Sequence, residues 1–341
     1  MAEGSGLAPT LADLGEWELI ERLGAFAPPG QFADDAALLD GRSERTLVVN
    51  TDVLVEGVHF SDATMTAADV GWRAAAANLS DLAAMGCREV LGLTVALVAP
   101  AATPWAWVEG VYQGLSAALG CYGGTLLGGD CSGGGQRLLA VTALGRLGAD
   151  GPIRRRDGYP GDALVSTGPH GLSRLGLAAL LQEIPTPPAA PNWRQAGPAL
   201  LERAVQAHRR PRPRLDAVAA LASSRPVGSP WRVAGTDSSD GLAAALKTLT
   251  QGSGCDALLE RRDLPLDPEM AALAIAEAWC LNGGEDFELV LALDPGWARQ
   301  LIQALPGTRR IGSLTPGSGI LRWAGDGSPL ADADGSFTHF H

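Results

Sequence analysis

The stretch that most limits what this chain can fold into is residues 47–60, LVVNTDVLVEGVHF. Leu47, Val48 and Val49 begin a β-type run, Asn50, Thr51 and Asp52 interrupt it, and Val53, Leu54 and Val55 resume it before Glu56 and Gly57 end it. A carboxylate and two side-chain oxygens inside a buried strand are costly unless they meet a ligand or a cation. An Asx-type kink between two strands accounts for the same residues in another way. What favours the ligand is that other apolar runs in the chain also end in a loop carrying an Asp.

At 341 residues the chain is long enough for two domains, and 46% hydrophobic against 19% charged residues describes a soluble globular protein with a sizeable core. A net charge of −12 argues against a nucleic-acid binder, and Lys247 is the one Lys among the basic residues. Cys87, Cys121, Cys131, Cys255 and Cys280 form no CxxC pair and no zinc spacing, which fits reduced thiols in a cytoplasm. No apolar run reaches the roughly 18 residues of a membrane span. The acidic N-terminus has no basic start to a signal peptide.

Taken in order, residues 8–24 read as an opening helix with Leu11, Leu14, Trp17 and Leu23 on its apolar face. Asp34 and Asp35 follow, adjacent carboxylates that need a divalent cation or separate partners if buried. Residues 66–86 form a strong Ala-rich helix, started by Thr66 with Asp69 in a capping-box pattern and ended by Gly86. Asn78, Ser80 and Asp81 lie inside it, and Asp81 is an unusual occupant of a largely buried helix. Residues 90–98 are an apolar strand and 105–119 a second amphipathic helix. In residues 123–135 a strand runs into a glycine-flanked loop carrying Asp130, where backbone N–H groups can line a phosphate. No GxxxxGK[ST] motif is present.

Residues 138–147 are another apolar run, and the texture then changes at the basic, Gly- and Pro-bearing stretch 150–162. The domain boundary is placed there, giving domains at 1–150 and 151–341. Arg154, Arg155 and Arg156 form a cluster suited to phosphate or to a surface linker. A strand at 163–166 and a helix at 172–181 follow, then a Pro-rich exposed loop at 183–198 and a basic, proline-broken run at 208–214 that reads as phosphate-facing or surface. Residues 236–240, TDSSD, place two carboxylates and two Ser hydroxyls before a helix at 242–250; N-capping explains one Asp and not both. Residues 282–288, NGGEDFE, repeat the pattern of glycines followed by carboxylates ahead of a strand.

Acid-only clusters with oxygen side chains suit hard cations, Mg²⁺ above all. Asp34/Asp35, Thr51/Asp52, Asp81, Asp130 and Asp237/Asp240 would be repelling charges alone and a polyphosphate cradle with metal present. The motifs ADDAALL, NTDVLVEGVHF, ANLSDLAAMG, LLGGDCSGG, RPRPRL, DSSDGL and NGGEDFEL, in that order, resemble those of the thiamine-monophosphate kinase family within the aminoimidazole-ribonucleotide synthetase (PurM-like) superfamily.

The resemblance implies an α/β (α+β), two-domain PurM-like fold. Its N-terminal mixed-sheet domain binds ATP and Mg²⁺ and dimerises, and an α/β domain follows. It implies a cytoplasmic homodimer that phosphorylates thiamine monophosphate to thiamine diphosphate with ATP, by direct in-line transfer. Mg²⁺ ligands by motif are Asp35, Asn50, Thr51, Asp52, Asp81, Asp130, Asp237 and Asp240; the need for K⁺ is left open. Gly129, Asp130, Arg155 and Ser239 would lie at ATP, and His59, Glu285 and Phe337 at the acceptor. No dedicated general base is expected, because a phosphate oxygen is already a nucleophile at neutral pH. The chain departs from the family at Ala33, where Gly is usual, and at Asn50, which replaces a Ser or Thr ligand while keeping an oxygen that can coordinate. Arg155 is assigned over its neighbours by counting back from Pro160.

Rival readings are another ATP-using PurM-like enzyme or a non-catalytic metal–nucleotide sensor. The first Cys is Cys87 and the last residue His341, which argues against the selenophosphate synthetase and carbamoyl dehydratase members of the superfamily.

Overall fold

The polar residues 50–52 sit inside one continuous strand, not at a kink. The structure, a computed structural model, describes residues 18, 34–39, 46–184 and 193–330. Strand β2 (Leu47–Val55) pairs antiparallel with β5 (Leu138–Leu147) over its whole length, from Leu47 opposite Arg146 to Val55 opposite Leu138. Paired with β5 at every residue, the backbone has no reason to turn at Asn50. β1 (Ala37–Leu39), β3 (Cys87–Ala99) and β4 (Thr125–Gly133) complete a sheet of order β1-β2-β5-β3-β4. β3 and β4 run parallel, so a crossover helix must join them. It is α2 (Trp105–Tyr122), which lies beside α1 (Ala67–Ala84) on one face of the sheet.

Burial follows the strand alternation. Val48, Leu54, Leu93, Val95, Leu139 and Val141 face Val70, Ala74, Leu79, Leu82 and Leu115 of the two helices. The helices approach so closely that a Cβ on Gly71 would fall on the Val111 carbonyl, and one on Gly114 on the Ala68 carbonyl. α1 starts with the expected capping box: the Thr66 hydroxyl accepts the Asp69 N–H and the Asp69 carboxylate accepts the Thr66 N–H, each at 3.2 Å.

A second sheet has the order β11-β8-β10-β6-β9-β7. Its strands are β6 (Ala163–Ser166), β7 (Val233–Asp237), β8 (Cys255–Leu259), β9 (Leu289–Leu293), β10 (Arg309–Pro316) and β11 (Leu321–Trp323). The helices of this half are α3 (Leu172–Leu180), α4 (Pro198–Arg209), α5 (Leu215–Ser223), α6 (Leu242–Ser253), α7 (Ala276–Asn282) and α8 (Pro295–Ala304). α6 covers one face through Leu246 and Leu249, and α5 and α8 the other through Val218, Leu221, Trp297 and Leu301. β6, β7 and β9 are therefore buried along their whole length.

Ala83 and Ala84, the last residues of α1, belong to the core under α5 and α8. The body of α1 packs on the first sheet and its end on the second, so Asn78, Ser80 and Asp81 lie where the two sheets meet.

The opening helix expected at 8–24 lies outside the described residues, apart from Glu18, which is helical. Residues 185–192 of the Pro-rich stretch also lie outside them, and the stretch ends earlier than its composition suggests. Pro198 is the first residue of α4, where a missing N–H costs nothing. No helix among the described residues is long and apolar enough to cross a membrane.

Candidate active site

Asp35, Asp81 of α1 and Asp237 at the end of β7 each bring a carboxylate oxygen within 4.8 Å of the others. Strand alternation turns Asn50 and Asp52 of β2 toward the same side, where the Asn50 amide donates to Asp81 Oδ2 at 2.7 Å and to Asn78 Oδ1 at 3.2 Å. The Asp52 N–H donates to Asn78 Oδ1 at 3.2 Å. Ser80 donates to Asp237 Oδ2 at 2.7 Å and Ser239 to its Oδ1 at 3.1 Å. Thr236 Oγ1 and Arg155 Nη2 both donate to Asp35 Oδ1 at 2.8 Å, and the Arg155 N–H donates to Asp34 at 3.0 Å. Arg155 is thus the member of the Arg154–Arg156 cluster seen to pair with the acid cluster.

Burial, reinforced by Asp35, pushes Asp52 up to about 6. Burial and then Asp35 push Asp237 up to about 7, against the Ser80 hydrogen bond. Asp81 is raised well above the carboxylate range by burial and by Asp52, Asp237 and Asp35, with the Asn50 amide pulling the other way. Among the described residues the buried oxygens Asp35 Oδ2 and Asn50 Oδ1 have no hydrogen-bond partner. Buried acceptors left in this way are rare and call for a ligand. Hard oxygen donors, mutual repulsion and two unpartnered oxygens all fit a divalent cation such as Mg²⁺.

A second constellation adjoins the first. The Glu285 N–H donates to the Ser239 carbonyl at 2.5 Å, joining the loop after β7 to the loop before β9. The Glu285 carboxylate pairs with Arg73 of α1 and lies 3.7 Å from His208 Nδ1. Burial opposes its charge, but Arg73, His208 and His59 outweigh burial and hold the carboxyl below its usual range. Glu285 and Phe287 have φ of 60° and 53°, a left-handed backbone that side chains disfavour. External ties hold them there. Asp286 accepts the N–H groups of Gly171 and Ser173 at 2.6 and 3.1 Å, and Glu288 pairs with Arg214 and accepts from Thr167 at 2.5 Å. His59, in the turn after β2, accepts the Val55 N–H at Nδ1 at 3.0 Å, so its neutral ring carries the proton on Nε2.

Other residues singled out from the sequence lie elsewhere. Thr51 points to the opposite face of the sheet, where its hydroxyl meets that of Thr142 at 2.8 Å. Gly129 and Asp130 lie inside the exposed edge strand β4, not in a loop after it. A Cβ at Gly129 would fall on the Val95 carbonyl. Asp240 is exposed, near enough to raise Asp237, and Phe337 lies outside the described residues.

The basic run 208–214 is largely a strap between the layers. Arg209 donates to the Thr64 carbonyl at 2.8 Å, Arg210 to Asp69 at 2.7 Å and Arg214 to the Thr167 carbonyl at 2.8 Å. Trp72 Nε1 donates to the Pro211 carbonyl at 2.9 Å. The phosphate-facing reading of this run gives way to protein partners because both layers offer buried acceptors within its reach. Arg73 was not singled out from the sequence. An Arg inside an Ala-rich buried helix is a readable signal, but nothing local points to Glu285 as its partner.

Carboxylates from the segment before β1, from α1 and from the end of β7 converge on one cation-ready cluster, which defines a class: an α/β phosphate-handling protein. The family model described as AIR synthase related protein, N-terminal domain, matches residues 33–147. The thiamine-monophosphate kinase of Prochlorococcus marinus is 44% identical over 333 residues, covering 97% of each chain. That of Synechococcus elongatus is 45% identical over 332 residues, covering 97% of this chain and 98% of its own. A solved structure described as AaThiL complexed with AMPPCP and TMP superposes with a TM-score of 0.83 at 27% identity, covering 98% of this chain and 100% of the other. The chain belongs to the thiamine-monophosphate kinase family.

Proposed function

We propose that this chain transfers the terminal phosphoryl group of ATP to the phosphate of thiamine monophosphate, giving thiamine diphosphate. The observation that carries this is the convergence of Asp35, Asp81 and Asp237 beside an acceptor loop that is tied to them through Ser239. Asp35, Asp52, Asp81 and Asp237, with Asn50 and Asp240 at the margin, are the residues that would hold Mg²⁺. Bound there, the metal supplies charge neutralisation and alignment of the phosphoryl group. Arg155 and Ser239, with Gly129 and Asp130, bind ATP in this reading, and Arg155 brings a fixed positive charge to its phosphates. His59 offers Nε2–H, and Glu285 a carboxylate kept ionised by Arg73, to the cationic acceptor, whose rings would also meet Phe337. The acceptor phosphate needs no base, since it is ionised at neutral pH.

We further infer two domains, 1–150 and 151–341, and a cytoplasmic homodimer. α1 and α2 cover one face of the first sheet, while on its open side Val53 and Leu127 are 44% and 52% exposed, and all nine residues of β4 are exposed. An uncovered apolar sheet face with a free edge is a surface that natural proteins pair or cover. A second copy there would complete the surroundings of Gly129, Asp130 and Thr51.

The test is product formation. Incubation with ATP, Mg²⁺ and thiamine monophosphate is expected to yield thiamine diphosphate and ADP by ion-exchange chromatography, and thiamine in place of its monophosphate to yield nothing. Tight ATP binding with no product from thiamine monophosphate would remove the kinase reading in favour of a sensor.

A further inference from the structure

The loop bearing Asp237 and the loop bearing Glu285 are joined by a side-chain pair that the proposed chemistry does not use. His170, in the turn between β6 and α3, and Ser238, beside Asp237, are both fully buried or nearly so. His170 Nε2 lies 2.9 Å from Ser238 Oγ and Nδ1 lies 3.4 Å from Ser166 Oγ. Ser238 Oγ accepts the Glu288 N–H at 3.2 Å, and Ser166 Oγ donates to the Gly168 carbonyl at 2.8 Å.

These contacts fix the protons. The Ser166 hydroxyl proton goes to Gly168, so the ring must donate toward Ser166 from Nδ1, and in the neutral ring Nε2 is left to accept the Ser238 hydroxyl proton. The ring proton is then on Nδ1, directed to Ser166 and Gly168. Burial keeps the imidazole neutral, with its pKa pushed down to about 4 against the pull of Gly168, so Nε2 remains an acceptor at neutral pH.

We propose that His170 and Ser238 are positioning residues, a hydroxyl–imidazole latch that sets the spacing between the phosphoryl-donor loop at 237–240 and the acceptor loop at 285–288. The proposal rests on the reading of those two loops given above. The acceptor loop is held in a strained left-handed backbone by ties to α3 and Arg214, neither of which refers it to the metal cluster. Its ties toward that cluster are the Glu285 N–H on the Ser239 carbonyl at one end and, at the other, the Glu288 N–H on the Ser238 hydroxyl beside Asp237, which the His170 ring holds in place. Phosphoryl transfer is governed by in-line positioning, so a small drift between these loops acts on turnover more than on either substrate's affinity.

The experiment uses the full chain with Ser238→Ala, Ser238→Thr, His170→Leu and His170→Gln. It reads hydrogen exchange at residues 285–288 beside kcat and KM for both substrates. Ser238→Ala and His170→Leu are expected to speed that exchange about tenfold and to lower kcat by about ten- to a hundredfold with smaller changes in KM. Ser238→Thr and His170→Gln keep a donor and an acceptor and are expected to recover most of both. The Ser238→Ala/His170→Leu double variant is expected to be no worse than either single, because each opens the same latch. Unchanged exchange in Ser238→Ala, or losses that multiply in the double variant, would overturn the latch. A wild-type chain inactive on thiamine monophosphate would refute the function while the exchange measurement still decides the latch.

Discussion

Asp81 shows how one carboxylate can serve a site that repels it. Its helix has good reason to be buried, yet it sets a carboxyl against Asp35, Asp52 and Asp237, which push its ionisation up. The sign of the pH dependence follows. In the metal-free chain Asp52 and Asp237 hold protons up to about 6 and about 7, whereas the unfolded chain releases them near 3.8. The stability they contribute is present at acid pH and lost as pH rises through those values. His170 and His208 run the other way: pushed from 6.5 to about 4 and about 3, they contribute stability above 6.5 that is lost as pH falls. A cation binds the ionised carboxylates, so the rise in Tm on adding Mg²⁺ is expected to be larger at about pH 8 than at about pH 5. Taken as a difference at each pH, the comparison cancels the histidine contributions; equal rises would mean that these carboxylates are not the ligands. The cost of burying Asp52 and Asp81 was legible from their apolar neighbours. The partners of Arg73 and Asp35 were not, since they come from distant segments that only tertiary packing brings near.

At the level of elements, legibility tracked local chemistry. The helix at 66–86 could be read to within two residues because Thr66, Asp69 and Gly86 mark its ends. Around Asp130 the glycine pair reads as a loop where the structure continues the strand β4, because the close approach of the Val95 carbonyl that calls for Gly129 comes from a distant segment. α4 was missed because Pro198 reads as a breaker when its place at the first helical position is unknown. The α1–α2 crossing supplies a direct test of packing. Gly114→Val places side-chain atoms onto the Ala68 carbonyl, and overpacking of this kind costs about 1–3 kcal/mol or more. Urea denaturation is expected to show a lower midpoint with an unchanged slope. A stability equal to wild type would mean that the helices are farther apart than described.

Across the whole molecule, α1 does most to make one site out of two layers. It rests on the first sheet, ends in the core of the second, and carries Asp81 toward the carboxylate cluster and Arg73 toward Glu285. The strap at 208–214 ties the start of the same helix to the turn after β6. The ordered motifs made the general architecture legible, but not which helix would span the layers. Assembly is the remaining property at this scale. Leu127→Glu puts a charge on the open side of β4, and sedimentation velocity is expected to show a dimer for wild type and a monomer for the variant. A monomeric wild type would remove the second copy from the account of Gly129 and Asp130.

The proposed phosphoryl transfer requires the carboxylate cluster to hold a cation. The most direct measurement is thiamine diphosphate formation across a Mg²⁺ titration for wild type and Asp81→Asn, with folding of the variant checked by circular dichroism. The expected result is saturable, Mg²⁺-dependent turnover in wild type and a loss of about a hundredfold or more in Asp81→Asn. Wild-type turnover that persists in EDTA, or an Asp81→Asn enzyme with undiminished rate, would contradict it.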